Sequence, residues 1–176
     1  MENKKKLAPN SLTFIALTNE YCQVLESAFD CQRDEFVARM LKLLPRIYMV
    51  ASDLEHDFPF SDYNIEAYLN EELYDQVRDN VSRLMGEEDV YLEVFVEDMK
   101  YSDSPIASSI SENLADLYQE FFNFIATIKD ATTDAQIELI GLCKADFRNF
   151  WGQTLCNVLR ALNTVYYNPS SLDNDF

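Results

Sequence analysis

The stretch that decides the fold is ISENLADLYQEFFNFIATI, residues 110–128. Its large apolar residues recur at alternating spacings of four and three positions, which places them along one side of an α-helix. This a/d pattern is typical of helices that pack antiparallel in a bundle. Ser109 and Glu112 match a capping box at the start, and Ser104 before Pro105 is a competing start signal. The apolar row consists of Ile110, Leu114, Leu117, Phe121, Phe124 and Ile128.

Two helices are predicted in the N-terminal third of the chain. The first runs to about Asp30 and has Asn10 or Ser11 as its capping residue. The second covers about residues 33–54, and Pro45 lies inside its apolar row. Because proline lacks a backbone N–H and clashes with the preceding turn, we expect Pro45 to kink this helix or to split it in two.

Two more helices lie on either side of the central one in the sequence. The third in chain order is predicted over about residues 63–85 and ends at Gly86. The last begins at a second capping box, Thr133 with Gln136, and runs to just before the proline near the C-terminus. Gly152 interrupts this helix, either as a bend or as a point of close helix approach.

Residues 87–104 fit two patterns. Leu92, Phe95 and Met99 are spaced as in a helix. We favour a short helical or irregular segment, because a lone strand would have no partner in a helical protein. The competing strand pattern is an alternation of apolar residues at Val90, Leu92, Val94 and Val96.

The composition agrees with a helical domain. The 176 residues are 48% apolar and 13% aromatic, which is ample for one hydrophobic core. Three glycines and five prolines are too few for the many tight turns of an all-β fold. We therefore predict an all-α, single-domain antiparallel bundle of about five long helices over residues 1–176, with residues 1–9 and 168–176 flexible.

The formal net charge of −17 restricts the partners. It repels phosphate backbones and anionic lipid headgroups, so we expect neither direct nucleic-acid binding nor membrane binding. Lys4, Lys5 and Lys6 resemble the start of a signal peptide, but no apolar segment or cleavage site follows. No apolar run approaches the ~20 residues of a membrane span. A cytoplasmic location with reduced cysteines is therefore expected.

Three segments carry a resemblance to a known family. Residues 94–105 contain Val94-Phe95 and the run DMKYSDSP, residues 111–119 read SENLADLYQ, and residues 151–162 contain WGQ followed by NVLRAL. Together they resemble a bacterial family called domain of unknown function 5063. The resemblance implies a short helical fold and supplies no activity, cofactor or site residue. The chain departs from the family pattern at Val96-Glu97, where a proline is usual, and at Phe150, where tyrosine is usual.

The lone histidine, His56, is the first candidate for chemistry. Asp53 and His56 have the spacing of a helical carboxylate–histidine metal pair, and Asp57 adds a carboxylate. A di-metal bundle site needs two such histidines, and the chain has one. The alternation of Asp53, Glu55 and Asp57 also fails as a calcium loop, because Phe58 replaces the required glycine. We favour a solvated loop histidine, keep these residues as weak metal-ligand candidates, and expect no cofactor.

Other common catalytic patterns are incomplete. Three isolated glycines cannot form a phosphate-binding loop, and no Gly-x-Ser-x-Gly elbow is present. Carboxylate pairs such as Glu71 with Asp75 are abundant, but such pairs form solvated faces more often than metal sites. The cysteines contain no Cys-x-x-Cys pair and are expected to be buried thiols: Cys22, Cys31, Cys143 and Cys156.

Two charged features remain. Residues 57–103 hold fourteen acidic and three basic residues, a net charge of −11 out of −17. Arg39, Lys42 and Arg46 form a basic row on the second helix. Either these groups pair with each other and with solvent, or the acidic stretch is a docking face whose charge attracts a basic protein. The predicted docking residues are Tyr68, Glu71, Glu72, Tyr74, Asp75 and Asp79.

Three functions follow as hypotheses. The leading one is a non-enzymatic cytoplasmic interaction or regulatory bundle that binds a basic protein through this acidic face. The alternative is a carboxylate-based metal-binding protein or metal-dependent enzyme that uses Asp53 and His56. In the third, the acidity mimics a nucleic acid and occupies the cleft of a nucleic-acid-binding protein.

Overall fold

The computed structural model describes residues 6–55, 60–93 and 105–168. These residues form six α-helices and two short strands, which confirms the all-α prediction. The helices are α1 (Pro9–Glu26), α2 (Arg33–Ser52), α3 (Glu71–Met85), α4 (Ile110–Ile128), α5 (Thr133–Asp146) and α6 (Gly152–Tyr167). The strands are β1 (Val90–Leu92) and β2 (Ala107–Ser109), and buried apolar residues from all six helices form one continuous core.

Helix α4 is the centre of the bundle, as its apolar row predicts. All six residues of that row are buried, and α4 packs against α1, α3 and α6. Helix α1 runs antiparallel to α4, since Tyr21 donates its hydroxyl to the Leu114 carbonyl at 2.8 Å and Phe14 lies 5.4 Å from Phe124 between ring centroids. Trp151 completes this aromatic cluster against Phe121 at 5.0 Å.

The start of α4 is capped as the sequence predicts. The Ser109 hydroxyl accepts the Glu112 backbone N–H at 3.0 Å. The buried carboxylate of Asp89 adds a second cap, because it accepts both the backbone N–H and the hydroxyl of Ser111, at 2.8 and 2.7 Å. Two side chains therefore satisfy helix-start donors that would otherwise lack partners inside the core.

Two other predicted caps are wrong. Helix α1 begins at Pro9 with no side-chain cap, and proline at the first helical position sets the helical φ angle. Asn10 instead donates its amide to the Asp53 carbonyl at 3.5 Å. The cap of α5 is Thr132, one residue before the predicted Thr133, and its hydroxyl accepts the N–H of Ala135.

Helix α2 continues through Pro45 from Arg33 to Ser52, so the proline does not split the helix, and the kink at Pro45 stays a prediction. Proline costs one helical hydrogen bond at this point. Phe36, Met40, Leu44 and Ile47 lie in the core on both sides of Pro45, and their burial holds the two halves in one helix.

The third helix is shorter at its start than predicted. Residues 63–70 are not helical, and Asn70 begins α3 by accepting the Leu73 N–H at 2.8 Å. The preceding backbone forms one hydrogen bond within itself, from the Tyr68 N–H to the Glu66 carbonyl at 3.1 Å, and it also bonds to side chains of α4. Asn123 accepts the N–H groups of Tyr68 and Leu69 at 2.9 and 2.8 Å. We call residues 61–70 the strap. At the other end of α3, the helix is followed by Gly86, whose backbone φ angle of 60° favours glycine.

The prediction of a short helix within residues 87–104 is wrong for the part of this segment that the structure describes. A 3-10 turn over Gly86–Asp89 leads into β1, which pairs antiparallel with β2. Val90 lies opposite Ser109, and the Glu93 N–H donates to the Ile106 carbonyl at 2.8 Å. The strand thus has a partner in the residues that directly precede α4. Residues 94–104 lie outside the described part of the chain.

The last predicted helix is divided by residues Phe147–Trp151, which form one π-helical turn that we call the π-turn. The Gly152 N–H donates to the Phe147 carbonyl, five residues earlier. A Cβ atom on Gly152 would lie 2.5 Å from that oxygen and 2.8 Å from the Phe147 ring. The close contact at this glycine is with the preceding turn of its own chain, which differs from the predicted approach of another helix.

A few residues from both predicted flexible ends belong to the described part of the chain. Helix α1 begins at Pro9, and Leu7 packs against the core. Asn168 still donates its N–H to the Thr164 carbonyl at 2.8 Å. Residues 1–5 and 169–176 lie outside the described part. Within the described ranges, no helix is both long and apolar enough to cross a membrane.

Candidate functional site

The predicted docking residues are brought together on and beside α3. Val77, Val81 and Met85 turn the apolar side of this helix into the core, and α3 packs on α4. The acidic side faces outward. Glu71, Glu72 and Asp79 are exposed, and Asp75 is partly exposed; we call these four carboxylates the α3 acidic face.

Arg78 lies within this acidic face. Its guanidinium contacts the Asp75 carboxylate at 2.7 Å and the Asp79 carboxylate at 2.9 Å. No cation in the described part of the chain pairs with Glu71 or Glu72. Acidic residues in the first turn of a helix interact favourably with the helix dipole, which accounts for the positions of Glu71 and Glu72. Asp75 and Asp79 lie beyond the first turn, so the dipole does not account for them.

The two tyrosines of the predicted face have different environments. Tyr68 is 58% exposed at the end of the strap. Tyr74 is partly buried and donates its hydroxyl to the Asp116 carboxylate of α4 at 2.8 Å. Burial and this carboxylate raise the pKa of Tyr74 well above its usual value, so it remains a hydrogen-bond donor at neutral pH. Tyr74 therefore joins the α3 acidic face to α4.

The basic row does not neutralise the α3 acidic face. Arg39, Lys42 and Arg46 are exposed on α2, which packs against α1 and α6. The described residues show no ion pair between this row and α3. The interpretation in which the two charged features pair with each other is therefore wrong for the described part of the chain.

The described part of the structure does not bring the predicted metal-ligand candidates together. Asp53 is exposed at the end of α2, and His56 and Asp57 lie outside the described residues. Among the residues that the structure does describe, no group of three His, Cys, Asp or Glu side chains has the geometry to hold a metal ion. The metal-binding alternative stays a prediction.

The cysteines are less uniform than predicted. Cys22 and Cys143 are buried, Cys31 is intermediate, and none of the four forms a disulfide. Burial, with a smaller effect of Glu26, raises the pKa of Cys22 to about 12, so its thiol is protonated and unreactive at neutral pH. Cys156 is exposed, contrary to the prediction, because it lies on the outer side of α6.

The structure also shows a groove that the sequence does not indicate. It has a volume of about 450 Å³ and lies between α4, the π-turn and α6, with Glu93 at one end. We call it the π-turn groove. Asp116 and Glu120 line it from α4, one helical turn apart, and Gln153 and Asn157 line it from α6, also one turn apart.

The π-turn shapes one end of this groove. The extra residue in the turn places Phe150 outward, where its ring is 70% exposed, while Trp151 turns inward and is only 3% exposed. The Trp151 indole N–H donates to the Cys143 carbonyl at 3.3 Å, which fixes the ring against the core. The groove thus has a buried aromatic wall and an exposed aromatic edge.

The groove is acidic and polar. The carboxylates of Glu93, Asp116 and Glu120 and the amides of four Asn or Gln residues line it, and among the described residues that line it there is no Lys, Arg or His. Burial raises the pKa of Glu120, and the nearby carboxylates of Asp146 and Asp116 raise it further. Burial also raises the pKa of Asp146. A negative charge on Glu120 is therefore disfavoured in the absence of a cation.

Sequence reasoning missed the groove because its walls are far apart in the chain. The signal that could have found it is the position of the segments that carry the family resemblance. Asp116, Leu117 and Gln119 belong to the SENLADLYQ segment, whereas Trp151, Gln153 and Asn157 belong to the C-terminal segments. The fold brings these segments to one groove.

The fold and the groove define an acidic all-α bundle protein. The family model described as "Domain of unknown function (DUF5063)" matches residues 5–168, so the chain belongs to this family. The crystal structure of protein BF1032 from Bacteroides fragilis is similar, with a TM-score of 0.80 and 34% sequence identity. The match covers 93% of this chain and 96% of that one. A search of curated proteins gives no match.

Proposed function

We propose that this protein is a non-enzymatic interaction module that binds a basic segment of another protein through the α3 acidic face. The observation that carries the proposal is the group of four carboxylates on the outer side of α3, of which Glu71, Glu72 and Asp79 are exposed. On the same helix, Tyr74 donates its hydroxyl to the exposed carboxylate of Asp116 on α4 at 2.8 Å. Acidic surfaces of this kind attract basic partners and increase their association rates.

Exposed side chains beside the carboxylates support a docking role. Tyr68 is 58% exposed at the start of α3, and tyrosine is enriched among the residues that contribute most to protein interfaces. Arg78 does not block the face, because exposed ion pairs are worth only about 0–1 kcal/mol. A partner's lysine or arginine can therefore replace Arg78 beside Asp75 or Asp79 at little cost.

The proposal places the protein in the cytoplasm. All four cysteines are free, and reduced thiols are the normal state of cysteine in that compartment. The strong negative charge keeps the protein away from nucleic acid and from anionic membrane surfaces.

Two variants with the same net charge test the proposal. In the first, the four carboxylates of the α3 acidic face are replaced by amides. The matched control changes four exposed acids elsewhere and likewise removes four negative charges. The face variant is Glu71→Gln, Glu72→Gln, Asp75→Asn and Asp79→Asn, and the control is Asp34→Asn, Glu35→Gln, Asp53→Asn and Asp130→Asn.

Affinity capture from cells of the source organism, quantified by mass spectrometry, compares the two variants with the wild type. We expect the face variant to lose basic partners that the wild type and the control retain. We also expect capture to weaken as the salt concentration rises, since exposed charges are screened. Equal capture by the face variant and the control would show that the α3 acidic face is not the docking surface.

A further inference from the structure

The π-turn groove has the size and the lining of a ligand site. Its volume of about 450 Å³ lies within the range of small-molecule sites, about 300–1,000 Å³. Helix α4 contributes the carboxylates of Asp116 and Glu120 to its lining, and α6 contributes the amides of Gln153 and Asn157. The two side chains from each helix are one helical turn apart and therefore lie on the same side of that helix.

The carboxylate and amide side chains of the lining determine which ligand charge the groove favours. Ionised carboxylates only accept hydrogen bonds, and side-chain amides can accept as well as donate. Glu93 adds a third carboxylate, and the part of the lining that the structure describes contains no cationic side chain. Three carboxylates would repel an anionic ligand. A cationic group that only donates hydrogen bonds could instead bond to these carboxylates and to the amide oxygens of the lining.

The aromatic edge of the groove favours an organic cation over a metal ion. Phe150 is 70% exposed at the edge, and guanidinium and ammonium groups bind to aromatic faces. In contrast, the described residues hold no cluster of three metal-ligating side chains. We propose that the π-turn groove binds a small organic cation that carries a guanidinium or ammonium group.

This inference does not depend on the docking function of α3. The ligand site is formed by α4, the π-turn and α6, whereas the four carboxylates of the α3 acidic face lie on α3. Asp116 lines the groove and also accepts the Tyr74 hydroxyl of α3, so the comparison uses Glu120, which makes no such bond to α3 in the described part of the chain. Neutralising Glu71 therefore serves as the control for neutralising Glu120, because each change removes one negative charge. Loss of one function without the other identifies which of the two proposals has failed.

The test uses n-butylguanidinium and its neutral analogue n-butylurea, which have nearly the same shape. Each is titrated into the full-length protein and followed by 1H–15N NMR. The side-chain NH2 groups of the groove and the indole N–H of Trp151, the only tryptophan in the chain, are the local reporters. We expect n-butylguanidinium to shift these signals with a millimolar dissociation constant and n-butylurea to leave them in place.

Variants then locate the charge that binds the cation. Glu120→Gln should weaken n-butylguanidinium binding about tenfold, because it removes a charge-assisted hydrogen bond. Glu71→Gln should leave the affinity unchanged within about twofold. The one-dimensional proton spectrum of each variant, compared with that of the wild type, shows whether the fold is intact.

Three results would overturn the inference. Equal binding of n-butylurea would show that the cationic charge is not recognised. Equal effects of Glu120→Gln and Glu71→Gln would place the interaction outside the groove. A Gly-Gly-Arg-Gly-Gly peptide that binds the groove ten times more tightly than n-butylguanidinium would show that the occupant is a protein side chain and not a free small cation.

Discussion

Replacing Gly152 with alanine tests how the π-turn is held. In an ordinary helix this change stabilises by about 1 kcal/mol, because alanine has the higher helix propensity. Here the added Cβ would lie 2.5 Å from the Phe147 carbonyl oxygen and 2.8 Å from its ring. Overpacking of this kind costs about 1–3 kcal/mol, and the upper end applies because a backbone carbonyl cannot rotate away.

The two effects leave a net destabilisation of about 2 kcal/mol for Gly152→Ala. For a chain of this size, that corresponds to a fall of about 4–8 °C in Tm. Urea unfolding followed by circular dichroism measures the change in free energy of unfolding. The neighbouring residue Gln153 is exposed, and Gln153→Ala is the control, with an expected change within about 0.5 kcal/mol. A Gly152→Ala protein as stable as the wild type would refute the steric argument.

Three further changes test the strap, the α4 cap and the groove. Asn123→Ala should lower the free energy of unfolding by about 1–2 kcal/mol, because one side-chain oxygen accepts two backbone N–H groups of the strap. Asn123→Asp keeps this acceptor, so its free energy of unfolding, measured with urea, should fall by less. Asp89→Ala should cost about 2–4 kcal/mol in the same measurement, since the N–H and hydroxyl of Ser111 lose a buried charged acceptor. Glu120→Gln should stabilise the protein at pH 7 relative to the wild type and lose this advantage near pH 4. Because the folded protein raises the pKa of Glu120, the wild type loses stability as the pH rises through that pKa. The same stability difference between Glu120→Gln and the wild type at both pH values would contradict this explanation.

The helices could be predicted because their signals are local. The apolar row of α4 gives both its length and its buried side, and Ser109 caps it where the sequence indicates. Helix α2 also forms over nearly the predicted range, and it continues through Pro45 without a break. In each of these cases the deciding residues lie within one or two turns of each other.

The remaining elements depend on residues that are far apart in the chain. The predicted third helix extended too far towards its N-terminus because nothing near residues 63–70 shows that Asn123 of α4 accepts their backbone N–H groups. The partner of β1 is the short polar segment Ala107–Ser109, which has no strand pattern of its own. In both cases a long-range contact overrides the local apolar spacing.

The candidate site was predictable only in part. The composition of α3 indicates an acidic exposed face, and the structure places its four carboxylates together on that helix. The π-turn groove was not predictable, because an inserted π-turn changes the direction of Phe150 and Trp151 without a periodic signal. Residues that are more than thirty positions apart, such as Asp116 and Gln153, become the two walls of one groove.

Zero-length cross-linking tests the docking proposal most directly. A carbodiimide joins a carboxylate to a lysine amine only when the two groups are in contact, so it reports which acids a basic partner meets. After capture of a partner from cells and mass-spectrometric mapping, we expect cross-links to its lysines at Glu71, Glu72, Asp75 or Asp79. Cross-links that avoid these four residues and form at the exposed acids of α2 would contradict the proposal that the α3 acidic face binds the partner.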